Sequence, residues 1–146
     1  AGFQPGTIGL SGVGFGVDPQ LINNRICDVE WLPGGCVMYR RENLVLDDFY
    51  PFKGKSYSED LIHSFLLREQ GCKLVVDSKA QCYTEKTPPS SYSPLEFLKY
   101  LAFDYRARKY FVNLSSRSYV RMNLYSMVGV FSYFSTIMKK SVRRLT

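Results

Sequence analysis

Apolar positions along the chain change spacing several times, and each change marks an element. The string CDVEWLPGGCVMY, from Cys27 to Tyr39, reads as a strand that enters a Pro-Gly-Gly turn and leaves as the apolar run Cys36-Val37-Met38-Tyr39. Arg40-Arg41-Glu42-Asn43 closes it. Ser56-Tyr57-Ser58-Glu59 then has capping-box spacing, Leu61, Ile62, Phe65 and Leu66 supply apolar pairs four residues apart, and Gly71 ends the predicted helix. Short strands are predicted at Cys72 to Val76 and Ala80 to Thr84, followed by the breaker TPPSSYSP. Pro94 opens a helix to about Phe111, and from Val120 onward Leu124, Met127, Phe131, Phe134 and Met138 keep helical spacing. The order strand, turn, helix, strand, strand, helix predicts the edge of an α/β sheet.

Length admits one core and not two: the chain has 146 residues, 45% of them hydrophobic. Six of the eleven glycines fall within the first sixteen residues, and no Lys-Ser/Thr follows them, so the segment is expected to be a flexible connector and not a phosphate cradle. The formal charge of +6 is unevenly placed. Ala1 to Leu98 carries nine Lys/Arg against twelve Asp/Glu, whereas Lys99 to Thr146 carries ten basic residues and one acid, Asp104. An anionic partner is therefore expected at the tail. Cys27, Cys36, Cys72 and Cys82 are widely spaced and His63 stands alone, which is not a zinc pattern; reduced, buried thiols in a cytosol-facing domain are expected.

The strings WLPGGCVMYRREN and SEDLIHSFLLREQGCKLVV together resemble the second half of family 2 glycosyltransferases of the GT-A type. In that family an apolar strand ends in a Gly-containing turn, an Arg-Arg/Lys pair follows, and an Asp-bearing acidic pair opens a helix that closes with Arg, Gly and a strand. Arg68, Gly71 and Cys72 to Val76 occupy the closing places, and the resemblance covers Val29 to about Glu85. It implies an α/β, partial GT-A fold, the acceptor-side half, with amphipathic C-terminal helices. Residues 1–26 would connect to a preceding nucleotide-binding half, 27–112 form the acceptor and base portion, and 113–146 form a basic amphipathic tail.

The reaction so implied is an inverting transfer of a sugar from a nucleotide-diphospho-sugar donor to the hydroxyl of a sugar or lipid-linked acceptor. A carboxylate must remove the acceptor proton as the hydroxyl attacks. By position Asp60 resembles the family base and Glu59 its neighbour, with Trp31, Gly34, Gly35 and Tyr57 as acceptor contacts. A divalent cation, Mg or Mn, is implied for the complete enzyme, its Asp-x-Asp motif lying upstream. No metal site is expected within this chain, because Asp28-Val29-Glu30 runs directly into the Trp31 turn and reads as structural acids. In place of the Gln-x-x-Arg-Trp signature of processive members stands Asp104-Tyr105-Arg106-Ala107-Arg108, so Arg106 is a weak candidate for diphosphate contact. Arg106, Arg108 and Lys109 otherwise read as a solvated helix face.

Plainer readings accompany these. Acids in a first helical turn favour the helix dipole without any catalysis, Trp31 fits core packing, and His63 fits a satisfied structural role. A non-catalytic module that binds an anionic membrane surface through the basic tail is the alternative function. Seventeen uncharged residues between Arg121 and Lys139 are marginal for crossing about 30 Å of hydrocarbon, so a helix lying at the inner face of a membrane is expected over a spanning one. A helix packed against another part of the protein is the other reading. Nucleic acid is not expected as a partner, since no recognised motif accompanies the basic residues.

Overall fold

The fold is a small mixed α/β domain, described from a computed structural model for residues 4–18, 26–45, 48–53, 56–80 and 93–142. Strand β1 (Ile26–Asp28) pairs antiparallel with β2 (Val75–Asp77), with Cys27 opposite Val76. Helices α1 (Glu59–Glu69), α2 (Pro94–Leu114) and α3 (Tyr119–Val142) supply the bulk, and a 3-10 turn covers Arg41–Asn43. β2 begins three residues later than the sequence predicts, and one further bond, Val29 N–H to Leu74 C=O, lies just beyond its start. The predicted strand at Cys36 to Tyr39 is a correction: no strand is present there. Met38 is 96% exposed, and Tyr39 turns inward to a side chain on α1, so the apolar run is spent on separate contacts and not on a ladder. Of the predicted strand at Ala80 to Thr84, Ala80 is exposed coil and the remainder lies outside the described residues.

α1 is held on two sides: Leu61 and Ile62, with Phe65 and Leu66 beside them, pack into the cluster of Ile8 and Phe111, and Leu67 packs with Val29 and Leu74. Its end matches the sequence. Gly71, at φ +82°, lets Cys72 N–H reach Leu67 C=O while Gly71 N–H reaches Arg68 C=O, a Schellman closure. Its start does not. The cap is Ser58 in the left-handed region, with no side-chain cap bond, and not a Ser56 capping box. Tyr50 explains the delay: its hydroxyl accepts the Tyr57 N–H at 2.8 Å and donates to the Tyr57 C=O at 2.9 Å, holding that residue out of the helix.

α2 does begin in a capping box, with Ser93 Oγ accepting the Glu96 N–H and the Glu96 carboxylate accepting the Ser93 N–H. It runs three residues past the predicted end and closes with a second Schellman pattern, Arg117 N–H to Val112 C=O and Ser116 N–H to Asn113 C=O. Ser116 takes the left-handed position, at φ +51°, that glycine ordinarily fills. Ser116→Gly is therefore expected to raise stability by about 1 kcal/mol, read as a higher urea midpoint at unchanged slope.

The Gly-rich segment is not a loose connector within residues 4–18. It doubles back through an Ile8–Gly14 bridge and buries Ile8 in the same cluster as Leu61, Ile62 and Phe111. Small residues are required where it approaches its neighbours: a Cβ on Gly14 would stand 2.5 Å from Trp31 Cε2, and one on Gly12 would stand 2.9 Å from Val112 Cγ2. Gly12 also has φ +74°, so Gly12→Ala meets both crowding and backbone strain. It is expected to cost about 2–3 kcal/mol in thermal or chemical unfolding. Phe111, fully buried at the centre, contributes about 2–3 kcal/mol through burial.

Candidate functional site

Two segments distant in sequence meet at the start of α1. The Pro33-Gly34-Gly35 turn comes against Asp60 closely enough that a Cβ on Gly34 would lie 3.9 Å from Asp60 Cβ, in ordinary contact. The half-buried Asp60 carboxylate accepts the Leu61 N–H at 2.9 Å and is also favoured by the backbone N–H of Gly34. Burial is the larger influence, and with help from the neighbouring Glu59 charge it raises the Asp60 pKa above the ordinary 3.8 despite those hydrogen bonds. Glu59 itself is exposed.

Behind the pair stands an aromatic wall that the sequence did not reveal. His63, one turn after Asp60, stacks on Phe49 with centroids 5.2 Å apart, meets Tyr39 edge-on at 4.9 Å and has Nδ1 3.3 Å from the Tyr39 hydroxyl. The structural role expected for His63 is in keeping with these partners. Burial, and then the charges of Asp60 and Glu59, raise the Tyr39 pKa above 10.0. Burial lowers the His63 pKa below 6.5, against a smaller opposite pull from Glu59. The fold thus prefers neutral imidazole, while the unfolded chain takes up a proton near 6.5. This contribution to stability is complete above that value and is lost as pH falls through the depressed folded pKa. Thermal unfolding is expected to show a midpoint that drops in this acid window, and His63→Gln should flatten that drop.

A groove of about 670 Å³ runs beside the turn, lined by Trp31, Gly34, Gly35, Phe15, Met38 and Val76 among others. Of the four acceptor residues predicted from the sequence, Trp31, Gly34 and Gly35 therefore share one wall. Asp60 meets that wall at Gly34 without itself lining the groove. Trp31 is also tied into the fold, donating from Nε1 to Phe15 C=O at 3.2 Å. Tyr57 belongs elsewhere: its ring stacks on Phe103 and meets Tyr100 edge-on, both on α2. Arg106 is exposed, with its guanidinium 5.4 Å from the centroid of the Phe52 ring, and is not among the groove residues.

Arg108 departs from the solvated face expected of it. It is buried, its Nη2 donates to both Asp104 carboxylate oxygens at 2.9 Å, and its Nη1 donates to Gly12 C=O. The i, i+4 spacing of Asp104 and Arg108 was the available signal. Asp28 and Glu30 are structural acids as expected: Asp28 pairs with Lys73, and Glu30 accepts the Ile8 N–H and pairs with Arg68 and Arg117. Cys36 is exposed, which corrects its expected burial. Cys27 and Cys72 are half-buried, all three are free thiols, and Cys82 lies outside the described residues.

Among the described residues no three His, Cys, Asp or Glu side chains gather into a group that could hold a metal ion. Glu59 and Asp60 alone do not fit a resident Mg or Mn. Compared with known proteins, the chain matches no family model, no curated protein and no solved structure.

Proposed function

We propose that this chain is the acceptor-side portion of a GT-A, family 2 glycosyltransferase, in which Asp60 is the base for inverting transfer from a nucleotide-diphospho-sugar to an acceptor hydroxyl. The observation that carries the reading is the meeting of Asp60 with the Gly34 turn. Their separation in sequence is bridged by the fold at the edge of a groove large enough for a sugar. The raised Asp60 pKa is also what a general base needs, since a carboxylate at its ordinary value accepts a proton poorly.

In the proposed step the acceptor oxygen attacks the anomeric carbon, the bond from that carbon to the diphosphate oxygen breaks, and the acceptor proton passes to the Asp60 carboxylate. The nucleotide diphosphate leaves with the electron pair of the broken bond. Trp31 offers an aromatic wall for a sugar ring, and Gly34 and Gly35 let that ring approach the main chain. The donor site, and the ligands of any divalent cation that assists the leaving group, belong to residues outside this sequence. The test joins this chain to the sequence preceding it in its reading frame and measures sugar transfer from a panel of nucleotide-diphospho-sugars, with and without Asp60→Asn. Full activity in the variant removes Asp60 from the mechanism.

A further inference from the structure

α3 is amphipathic in the reverse of the usual sense. The side facing α2 holds Met122, fully buried, together with Ser126 and Tyr133, the last stacked on Phe97 at 3.4 Å between centroids. The side pointing away from the fold carries Val120, Leu124, Met127, Phe131, Phe134 and Met138, each between 52% and 70% exposed. These six recur at alternating steps of four and three residues, so they form one continuous stripe along a helix about 36 Å long. A monomer rarely leaves such a stripe in water.

Another part of the protein, a second copy or a membrane can cover an apolar stripe; none of the described residues covers this one, and the charges choose between the other two. No acidic residue occurs from Tyr105 to Thr146, while Arg121 stands at one end of the stripe and Lys139, Lys140, Arg143 and Arg144 follow at the other in sequence. A second copy of α3 would bring these basic ends together with no acid to pair them, and the positions flanking the stripe lack the opposite charges that join coiled coils. A spanning arrangement is excluded for the described residues, none of whose helices is long and apolar enough to cross a membrane. An anionic lipid surface satisfies both halves of the pattern: it takes the apolar stripe at the depth of the acyl boundary and pairs the basic ends with headgroups. We infer that α3 lies flat on an anionic bilayer, with Phe131 and Phe134 inserted and the α2 face turned toward the protein. This surface is independent of the proposed transfer reaction.

Vesicle flotation of the full chain tests it, with phosphatidylcholine alone and with phosphatidylcholine containing phosphatidylserine. Binding is expected to the serine-containing vesicles, weakening with salt. Phe131→Ser should lower it about tenfold to a hundredfold, and Arg121→Gln, at an exposed position, should lower it about fivefold, as expected for one basic residue near an anionic surface. Phe131 is 69% exposed, and circular dichroism with an unchanged thermal midpoint confirms that the variants remain folded. Absence of binding to either vesicle overturns the inference, as does binding that Phe131→Ser leaves unchanged. Sedimentation velocity distinguishes the remaining occupant: a dimer that Phe131→Ser dissociates, without vesicle binding, assigns the stripe to a second copy and overturns the lipid surface.

Discussion

On the proposed reading, Asp60→Asn is expected to lower sugar transfer about 10²- to 10⁴-fold while leaving the fold intact or slightly more stable. The rate loss is the ordinary size of a general-base contribution, because an amide of the same shape cannot take the acceptor proton. The stability effect has the opposite sign, for a reason visible in the site. Burial raises the Asp60 pKa above 3.8, so the folded chain holds a proton that the unfolded chain has already released. Stability from this group therefore falls as pH rises from 3.8 through the elevated folded value, and at neutral pH the ionised carboxylate is a burden on the fold. Asparagine removes the charge. A measured Tm that rises slightly, beside activity that collapses, would mark a residue kept for chemistry at the expense of stability. A large fall in Tm would instead make Asp60 a structural cap. On the same proposal, this titration should set the acid limb of the rate profile, with transfer failing as pH falls through the raised pKa.

The largest stability change is expected from Arg108→Ala, at about 3–5 kcal/mol in chemical unfolding. Arg108 is only 9% exposed and has committed its guanidinium to two oxygens of Asp104 and to Gly12 C=O, besides lying over the Tyr125 ring at 5.3 Å. Truncation leaves the Asp104 carboxylate without its partner in a poorly hydrated site and removes a tie between the Gly-rich segment and α2. Replacing both partners, Asp104→Leu with Arg108→Met, should recover much of the loss, since an apolar pair of similar volume escapes the desolvation cost of two charges. A double variant no better than the single one would mean that the bond to Gly12, and not the unpaired acid, carries the effect.

Helices were legible in the sequence because their signals are local. Gly71 and Pro94 mark an end and a start, and the spacing from Val120 to Met138 is recorded in the residues themselves. Where local signals misled, a distant side chain had intervened. Ser56 and Glu59 have the spacing of a cap, yet the Tyr50 hydroxyl holds Tyr57 and moves the helix start. Cys36 to Tyr39 looks like a strand by composition, but a strand needs a partner, and Tyr39 is drawn to His63 instead. The same limit applies to the site. Asp60 and the Gly34 turn could be named from their motifs, whereas the Tyr39, Phe49 and His63 wall arises from three segments that no spacing relates. Arg108 looks solvated in the sequence because a charge counted along the chain says nothing of burial.

The ties between the Gly-rich segment and the α2–α3 turn have a further consequence, for the order in which the protein can assemble as it is made. Arg117 donates to Ile8 C=O and Gly9 C=O, and Ser118 N–H bonds Leu10 C=O, across more than one hundred residues of chain. Until Phe111 and Arg117 have left the ribosome, Ile8, Leu61 and Ile62 lack the ring that packs against them and the Ile8 and Gly9 carbonyls lack their donor. Early segments must therefore wait, partly collapsed and with apolar residues uncovered, for a late one to close them. The interval between synthesis of Ile8 and emergence of Arg117 is when this domain is most exposed to misassembly.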